Sequence, residues 1–139
     1  MKPLVIDASV VLSWFIPDTL TQAALAWRHA GRLIAPDVLL VEGTNVFWKQ
    51  VRRGALAPAL AAGQLRRFRG APIELVPART LLDEAYDLAT TYDRTVYDSL
   101  YVALAVQSDC PFVTADRRLF NALQATSLKG YMRWVEDTA

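Results

Sequence analysis

Short apolar runs alternate with helical stretches along the whole chain, and that rhythm limits the folds open to it. Leu4 to Ile6, Leu33 to Ala35, Ile73 to Val76, Pro111 to Thr114 and Tyr131 to Val135 each read as short strands. Runs such as Leu4-Val5-Ile6, with β-branched residues, suit strands buried on both faces. Between the strands the spacing predicts helices over 8–16, 19–30, 38–53, 58–68, 79–92, 97–107 and 116–124. Pro17 stops the first, Gly31 the second and Gly54 the third. Strands alternating with helices imply an α/β fold with a parallel sheet covered on both sides. No internal repeat, low-complexity tract or linker divides the chain, so residues 1–139 read as a single domain. With 53% hydrophobic residues, a domain of that length can bury a real core.

One residue sits badly in that scheme. Asp7 lies inside "LVIDASVVLSWFIP", Leu4 to Pro17, among the most apolar stretches of the chain. A buried, unpaired carboxylate is costly, so a helix N-terminus, a basic partner or a cation must satisfy it. A helix N-cap is the plain account. Ser9 could do that job instead and leave Asp7 free. Lys2 before an apolar stretch could mimic a secretion signal, but Asp7 breaks the run and no small-residue cleavage site follows at the right distance. The segment reads as part of the mature fold.

Three further acids have equally plain accounts when taken singly. Glu42 falls in "VLLVEGTNVFW", Val38 to Trp48. On a helix, Leu39, Leu40, Val46 and Phe47 make one apolar side, and Val41 with Trp48 another. Between them runs a polar stripe of Glu42, Asn45, Lys49 and then Arg52 or Arg53. The stripe either faces water or lines a cleft. Gly43 favours the cleft, because a mid-helix glycine costs about 1 kcal/mol relative to alanine and implies close packing. Asp98 opens "YDSLYVALAVQ", where the helix dipole favours an acid, yet this helix is apolar nearly all round. Asp116 lies in "PFVTADRRL" at a strand end and helix start, as an N-cap would, with the Thr114 hydroxyl two residues earlier.

Taken together the acids form a pattern. In open parallel sheets, ligands bind beyond the carboxyl ends of strands where the strand order reverses. Asp7 and Asp116 both follow strands, and Glu42 and Asp98 lie near helix starts that can face the same edge. Four carboxylates without histidine or cysteine make a hard oxygen site, which selects Mg²⁺ or Mn²⁺ over zinc. Cys110 is the only cysteine, which excludes a disulfide framework and a thiolate zinc site and fits a reducing cytoplasm. His29, the only histidine, sits in "WRHAG" with no obvious triad partner, so it reads as a surface helix residue and argues against Ser-His-Asp chemistry. No glycine-rich phosphate loop is present, and no apolar run approaches the roughly 18 residues a membrane span needs. The net charge of +1 says nothing about nucleic acid.

The stretches "VIDASVVLSWF", "LLVEGTNVFWK", "YDSLYVALA" and "FVTADRRL", in that order, resemble PIN domains, and among these the small VapC-type toxin ribonucleases of toxin–antitoxin systems. The resemblance spans essentially the whole chain. It implies a three-layer α/β/α fold with a mostly parallel five-stranded sheet in the order 3-2-1-4-5. It implies that Asp7, Glu42, Asp98 and Asp116 are the acidic quartet, with Ser9, Asn45 and Thr114 supporting them. It further implies a metal-dependent endoribonuclease, the toxin of a type II pair. Its metal-activated water would cleave RNA to 5′-phosphate and 3′-hydroxyl ends. The expected partners are RNA, a VapB-like antitoxin and a second copy in a homodimer. Charge alone makes Lys49, Arg52 and Arg117 candidate contacts for RNA phosphates. The alternative is a magnesium-binding receiver-like domain or a phosphatase with an aspartyl nucleophile. Against it, Asp7-Ala8-Ser9 lacks the second acid those proteins carry, and Lys129 precedes the last strand.

Overall fold

The computed structural model describes residues 2–139. Its elements run β1 (Pro3–Ile6), α1 (Ala8–Phe15), α2 (Thr21–Trp27), β2 (Arg32–Pro36), α3 (Val38–Arg52), α4 (Pro58–Arg69), β3 (Glu74–Val76), α5 (Leu82–Tyr92), α6 (Val96–Ser108), β4 (Phe112–Thr114), α7 (Arg117–Gln124) and β5 (Met132–Trp134). The strands form one sheet in the order β3-β2-β1-β4-β5. All four pairings are parallel. Consecutive residues Leu4, Val5 and Ile6 are all buried. Neighbours along a strand point to opposite faces, so helices must cover both sides of the sheet. The α/β/α fold and strand order match the sequence expectation.

The strand order reverses between β1 and its neighbours β2 and β4. The carboxyl ends of β1 and β4 therefore open side by side, and the chain leaves them at Asp7 and Ala115. α6 lies behind this edge as the central helix. Its seven consecutive residues Ser99 to Ala105 are all buried, as its near-uniform apolarity predicts. The Tyr101 ring stacks on Phe112 of β4 with centroids 5.6 Å apart. The Trp27 indole N–H donates to the Val135 carbonyl at 2.7 Å and ties α2 to the chain's end.

Close packing explains the mid-helix glycine. A Cβ on Gly43 would come within 2.0 Å of Phe68 Cζ of α4. The Phe68 ring meets Phe47 and Phe15 at centroid distances of 5.7 and 6.1 Å, so it cannot swing aside freely. The cluster locks α3 to α4 and α1.

Two helices start later than their spacing predicts, each because side chains claim the backbone first. The second was expected over 19–30 and covers Thr21–Trp27. Asp18 Oδ1 accepts from the Leu20 N–H, and Thr21 Oγ1 accepts from the Asp18 N–H, so a side-chain turn replaces the first helical turn. It also ends early, and Gly31 lies beyond it rather than at its stop. The fifth was expected from Arg79 and begins at Leu82, after a 3₁₀ turn over Ala78–Thr80. The Asp37 carboxylate holds the Ala78 N–H at 3.0 Å and ties that turn to the start of α3. The apolar side of α3 assigned to Val41 and Trp48 faces solvent, at 69% and 55% exposure, so only one side of that helix builds core.

Candidate active site

Asp7 occupies the N-cap position of α1, but its side chain makes no capping bond. Oδ2 instead accepts from Ser9 Oγ and from Thr114 Oγ1, both at 2.7 Å. Each hydroxyl is itself fixed. Ser9 Oγ accepts the Ala115 N–H, and Thr114 Oγ1 accepts the Asp116 N–H, both at 3.0 Å. Two backbone donors thus turn both hydroxyl protons onto one carboxylate oxygen. Ser9 does not cap the helix; it orients Asp7. Asp7 Oδ1 makes no hydrogen bond among the described residues, yet no buried side-chain oxygen is left unpaired there. That oxygen therefore keeps some contact with solvent.

Burial raises the Asp7 carboxyl to about 6, against the lowering effect of the Ser9 and Thr114 bonds, and repulsion from Asp98 and Asp116 adds to it. Burial also raises Glu42, to about 7. Its Oε1 accepts the Tyr101 hydroxyl at 2.7 Å, which lowers it, while Asp7 and Asp98 raise it. Asp98 is raised by burial first and then by Asp116, with Arg94 and the Thr95 bond opposing. Thr95 caps α6 by accepting the Asp98 N–H, so the Asp98 carboxylate is free of capping duty. Asp116 does cap: its Oδ1 accepts the Leu119 N–H at 3.2 Å as α7 begins.

The four acids feel one another's charge, and none forms an ion pair. Among the described residues the only ion pair joins Arg32 to Glu74. No three acidic, histidine or cysteine side chains among the described residues are gathered tightly enough to hold a metal as they stand. The donor set still fits a hard cation. Mg²⁺ keeps several waters and needs only one or two carboxylates, and Asp7 offers a free oxygen on a fixed carboxylate. Among the described residues, no cationic side chain stands close enough to pair with the acids.

Glu42 and Asp98 share a cleft of about 510 Å³ with Val38, Val41, Asn45, Thr95 and Tyr97. Asn45 thus lies beside the acids, but it makes no hydrogen bond to them among the described residues. Lys49 and Arg52 do not reach this cleft. They line a separate hollow with Arg53 at the far end of α3, and Arg52 lies over the Trp48 ring at 5.3 Å. Lys49 is seven residues from Glu42, about 10 Å along the helix. The Arg117 guanidinium stacks on Trp134 at 3.7 Å. His29 is exposed in the turn after α2. Sequence reasoning missed Arg94 as a neighbour of the acids. It places Tyr101 on the helix face of Asp98 by their three-residue spacing, but not its bond to Glu42.

An acid-lined carboxyl edge on a 3-2-1-4-5 parallel sheet, with no histidine or cysteine among the acids, defines the class as an α/β domain with a carboxylate site. The family profile of the PIN domain matches residues 4–124, and the chain belongs to that family. Ribonuclease VapC3 of Pyrobaculum aerophilum is 33% identical over 121 residues, covering 84% of this chain and 91% of its own. Ribonuclease VapC12 of Mycobacterium tuberculosis is 31% identical over 117 residues, covering 84% and 88%. Ribonuclease VapC9 of the same organism is 29% identical over 122 residues, covering 88% and 92%. The crystal structure of PAE2754 from Pyrobaculum aerophilum superposes with a TM-score of 0.68 at 24% identity, over 97% of this chain and 85% of that one, and shares the fold.

Proposed function

We propose that this chain, as one domain over residues 1–139, is a ribonuclease of the VapC kind that cleaves RNA internally and requires a divalent cation. The observation that carries the reading is Asp7. It is a buried carboxylate fixed through one oxygen, open through the other, and within the charge field of Asp98 and Asp116. Relatives named ribonucleases over most of their length support the substrate class.

Asp7, Asp98 and Asp116 would hold one or two Mg²⁺ or Mn²⁺ ions, with Glu42 as a further ligand directly or through water. Such an ion supplies positive charge to the phosphate and lowers the pKa of an attacking water. The protein's own part is positioning. Ser9 and Thr114 hold Asp7 in one rotamer, so its open oxygen keeps a fixed direction. Tyr101 holds Glu42 Oε1 and leaves Oε2 free for a water or a cation. Asn45 is a polar group on the cleft wall. Lys49, Arg52 and Arg117 are surface cations for more distant phosphates. The products would carry 5′-phosphate and 3′-hydroxyl ends.

As a toxin of a type II pair, the protein would be held inactive by a VapB-like antitoxin, would act in the cytoplasm and would form a homodimer. Among the described residues no helix is long and apolar enough to cross a membrane. The receiver-like and phosphatase alternatives draw no support from the site, since Lys129 lies in a 3₁₀ turn before β5.

The test is cleavage of labelled total RNA by purified protein with Mg²⁺, Mn²⁺ or EDTA, beside Asp7→Asn and Asp98→Asn. Discrete fragments that need metal and vanish in both variants are expected. Full activity in EDTA, or in folded Asp7→Asn protein, would overturn the reading.

A further inference from the structure

Two hollows flank the short turn between α5 and α6. On one side lies the acid cleft, lined also by Val38 and Val41 of α3 and by Tyr97 in the first turn of α6. On the other side Arg94, Arg118, Asn121 and Ala122 line a hollow of about 620 Å³. The topology sets their order. α3 follows β2 and α7 follows β4, so the turn carrying residues 94–98 stands between Glu42 and the start of α7. Asp98 and Asp116 therefore lie at the boundary between an apolar wall and a basic one.

Both walls are unspent. Tyr97 is 61% exposed although it sits next to a half-buried acid in the first turn of α6. Neither Arg94 nor Arg118 forms an ion pair with an acid among the described residues. Arg94 is set in place by its neighbour: Asp93 ends α5 in the left-handed region at φ 55°, and Arg94 Nε donates to the Asp93 carbonyl at 2.9 Å. A left-handed residue is a common way to end a helix, and here it turns the chain from α5 into α6. An aromatic face beside the acids suits an unstacked base, and paired guanidiniums suit backbone phosphates. A base locked in a duplex offers no face to Tyr97.

We propose that single-stranded RNA crosses the α5–α6 turn, one base stacking on Tyr97 in the acid cleft and the adjoining phosphates seated on Arg94, Arg118 and Asn121. The proposal rests on the ribonuclease reading and names the residues over which its substrate runs. Arg94 and Arg118 are then binding residues on the opposite side of the acids from Lys49 and Arg52.

The experiment measures binding of a fluorescein-labelled unpaired RNA oligomer by anisotropy, in Mg²⁺ and in an Asp7→Asn background that prevents cleavage. The oligomer is one the wild-type chain cleaves. Arg118→Glu is expected to weaken binding about tenfold and to flatten the dependence of log Kd on log salt by about 0.7 for each phosphate that is no longer neutralised. Tyr97→Ala is expected to weaken binding about fivefold with the salt slope unchanged, and Tyr97→Phe to restore most of it. The same sequence annealed to its complement should bind about tenfold more weakly than the single strand. Binding within twofold of the parent for Arg118→Glu or Tyr97→Ala, or equal binding of the duplex, overturns the path. If the wild-type chain cleaves RNA while these variants bind normally, the path fails and the nuclease stands. If it cleaves no RNA with any metal, the nuclease reading fails, and the path with it.

Discussion

Replacing Asp7 with asparagine should make the cation-free protein more stable. In the fold this carboxyl is raised from 3.8 to about 6, first by burial and then by Asp98 and Asp116. A tenfold change in a proton-binding constant corresponds to about 1.4 kcal/mol, so ionised Asp7 destabilises the folded chain by about 3 kcal/mol relative to its neutral form. The sign follows from the upward direction. Below the unfolded value the group is protonated in both states and contributes nothing. Between that value and about 6 the unfolded chain releases its proton while the folded chain keeps it, so stability falls as pH rises. Above about 6 the whole penalty is present. Asparagine has nearly the same shape, and its carbonyl oxygen can still accept the Ser9 and Thr114 hydroxyls. Asp7→Asn should therefore gain about 1–3 kcal/mol near neutral pH in EDTA, and its melting temperature should rise by roughly 3 °C per kcal/mol. The advantage should shrink towards pH 4. With Mg²⁺ present it should shrink or reverse, because only the wild type gains binding energy from the ion. Thermal melts of both proteins across pH, with EDTA and with Mg²⁺, make the comparison. A folded Asp7→Asn protein less stable than wild type at neutral pH in EDTA would refute the reasoning.

Other perturbations test other contacts. Gly43→Ala adds helix propensity of about 1 kcal/mol but drives a methyl into Phe68, an overpacking worth about 1–3 kcal/mol or more. A net loss in urea melts is expected, relieved in part by pairing it with Phe68→Leu. Tyr101→Phe removes the bond that lowers Glu42, so Glu42 should ionise at still higher pH and the acid limb of the pH–rate profile should move to higher pH. Thr114→Val keeps the shape but strips one donor from Asp7 Oδ2 and the acceptor from the Asp116 N–H. A loss of about 1–3 kcal/mol in denaturant titration should accompany weaker cation binding in calorimetry. Light scattering at micromolar concentration should return a dimer mass, and a monomer would contradict the proposed homodimer.

The strands and the seven α-helices of the described residues were legible because they rest on local rules: apolar runs for strands, 3.6-residue spacing and glycine stops for helices. The strand order was not readable from those rules and came from the resemblance. The late starts of α2 and α5 were illegible because they depend on particular side-chain bonds, Asp18 with Thr21 and Asp37 with Ala78, rather than on periodicity. At the site, the acids announced themselves as charges in apolar surroundings, and Gly43 announced its tight packing. Which hydroxyl serves which carboxylate oxygen was hidden. Ser9 and Thr114 lie far apart in sequence from each other, and only the pairing of β1 with β4 brings them to one atom of Asp7. Arg94 gave no sign, because its position depends on a left-handed residue before it.

If the four acids serve one cation site, manganese should occupy it in a crystal of the protein grown with millimolar Mn²⁺. Data collected for manganese anomalous scattering should then show a peak in contact with Asp7 Oδ1 and with Asp98 or Asp116. No peak at that edge of the sheet, or manganese bound only elsewhere with Asp7 facing water, would contradict a shared cation site.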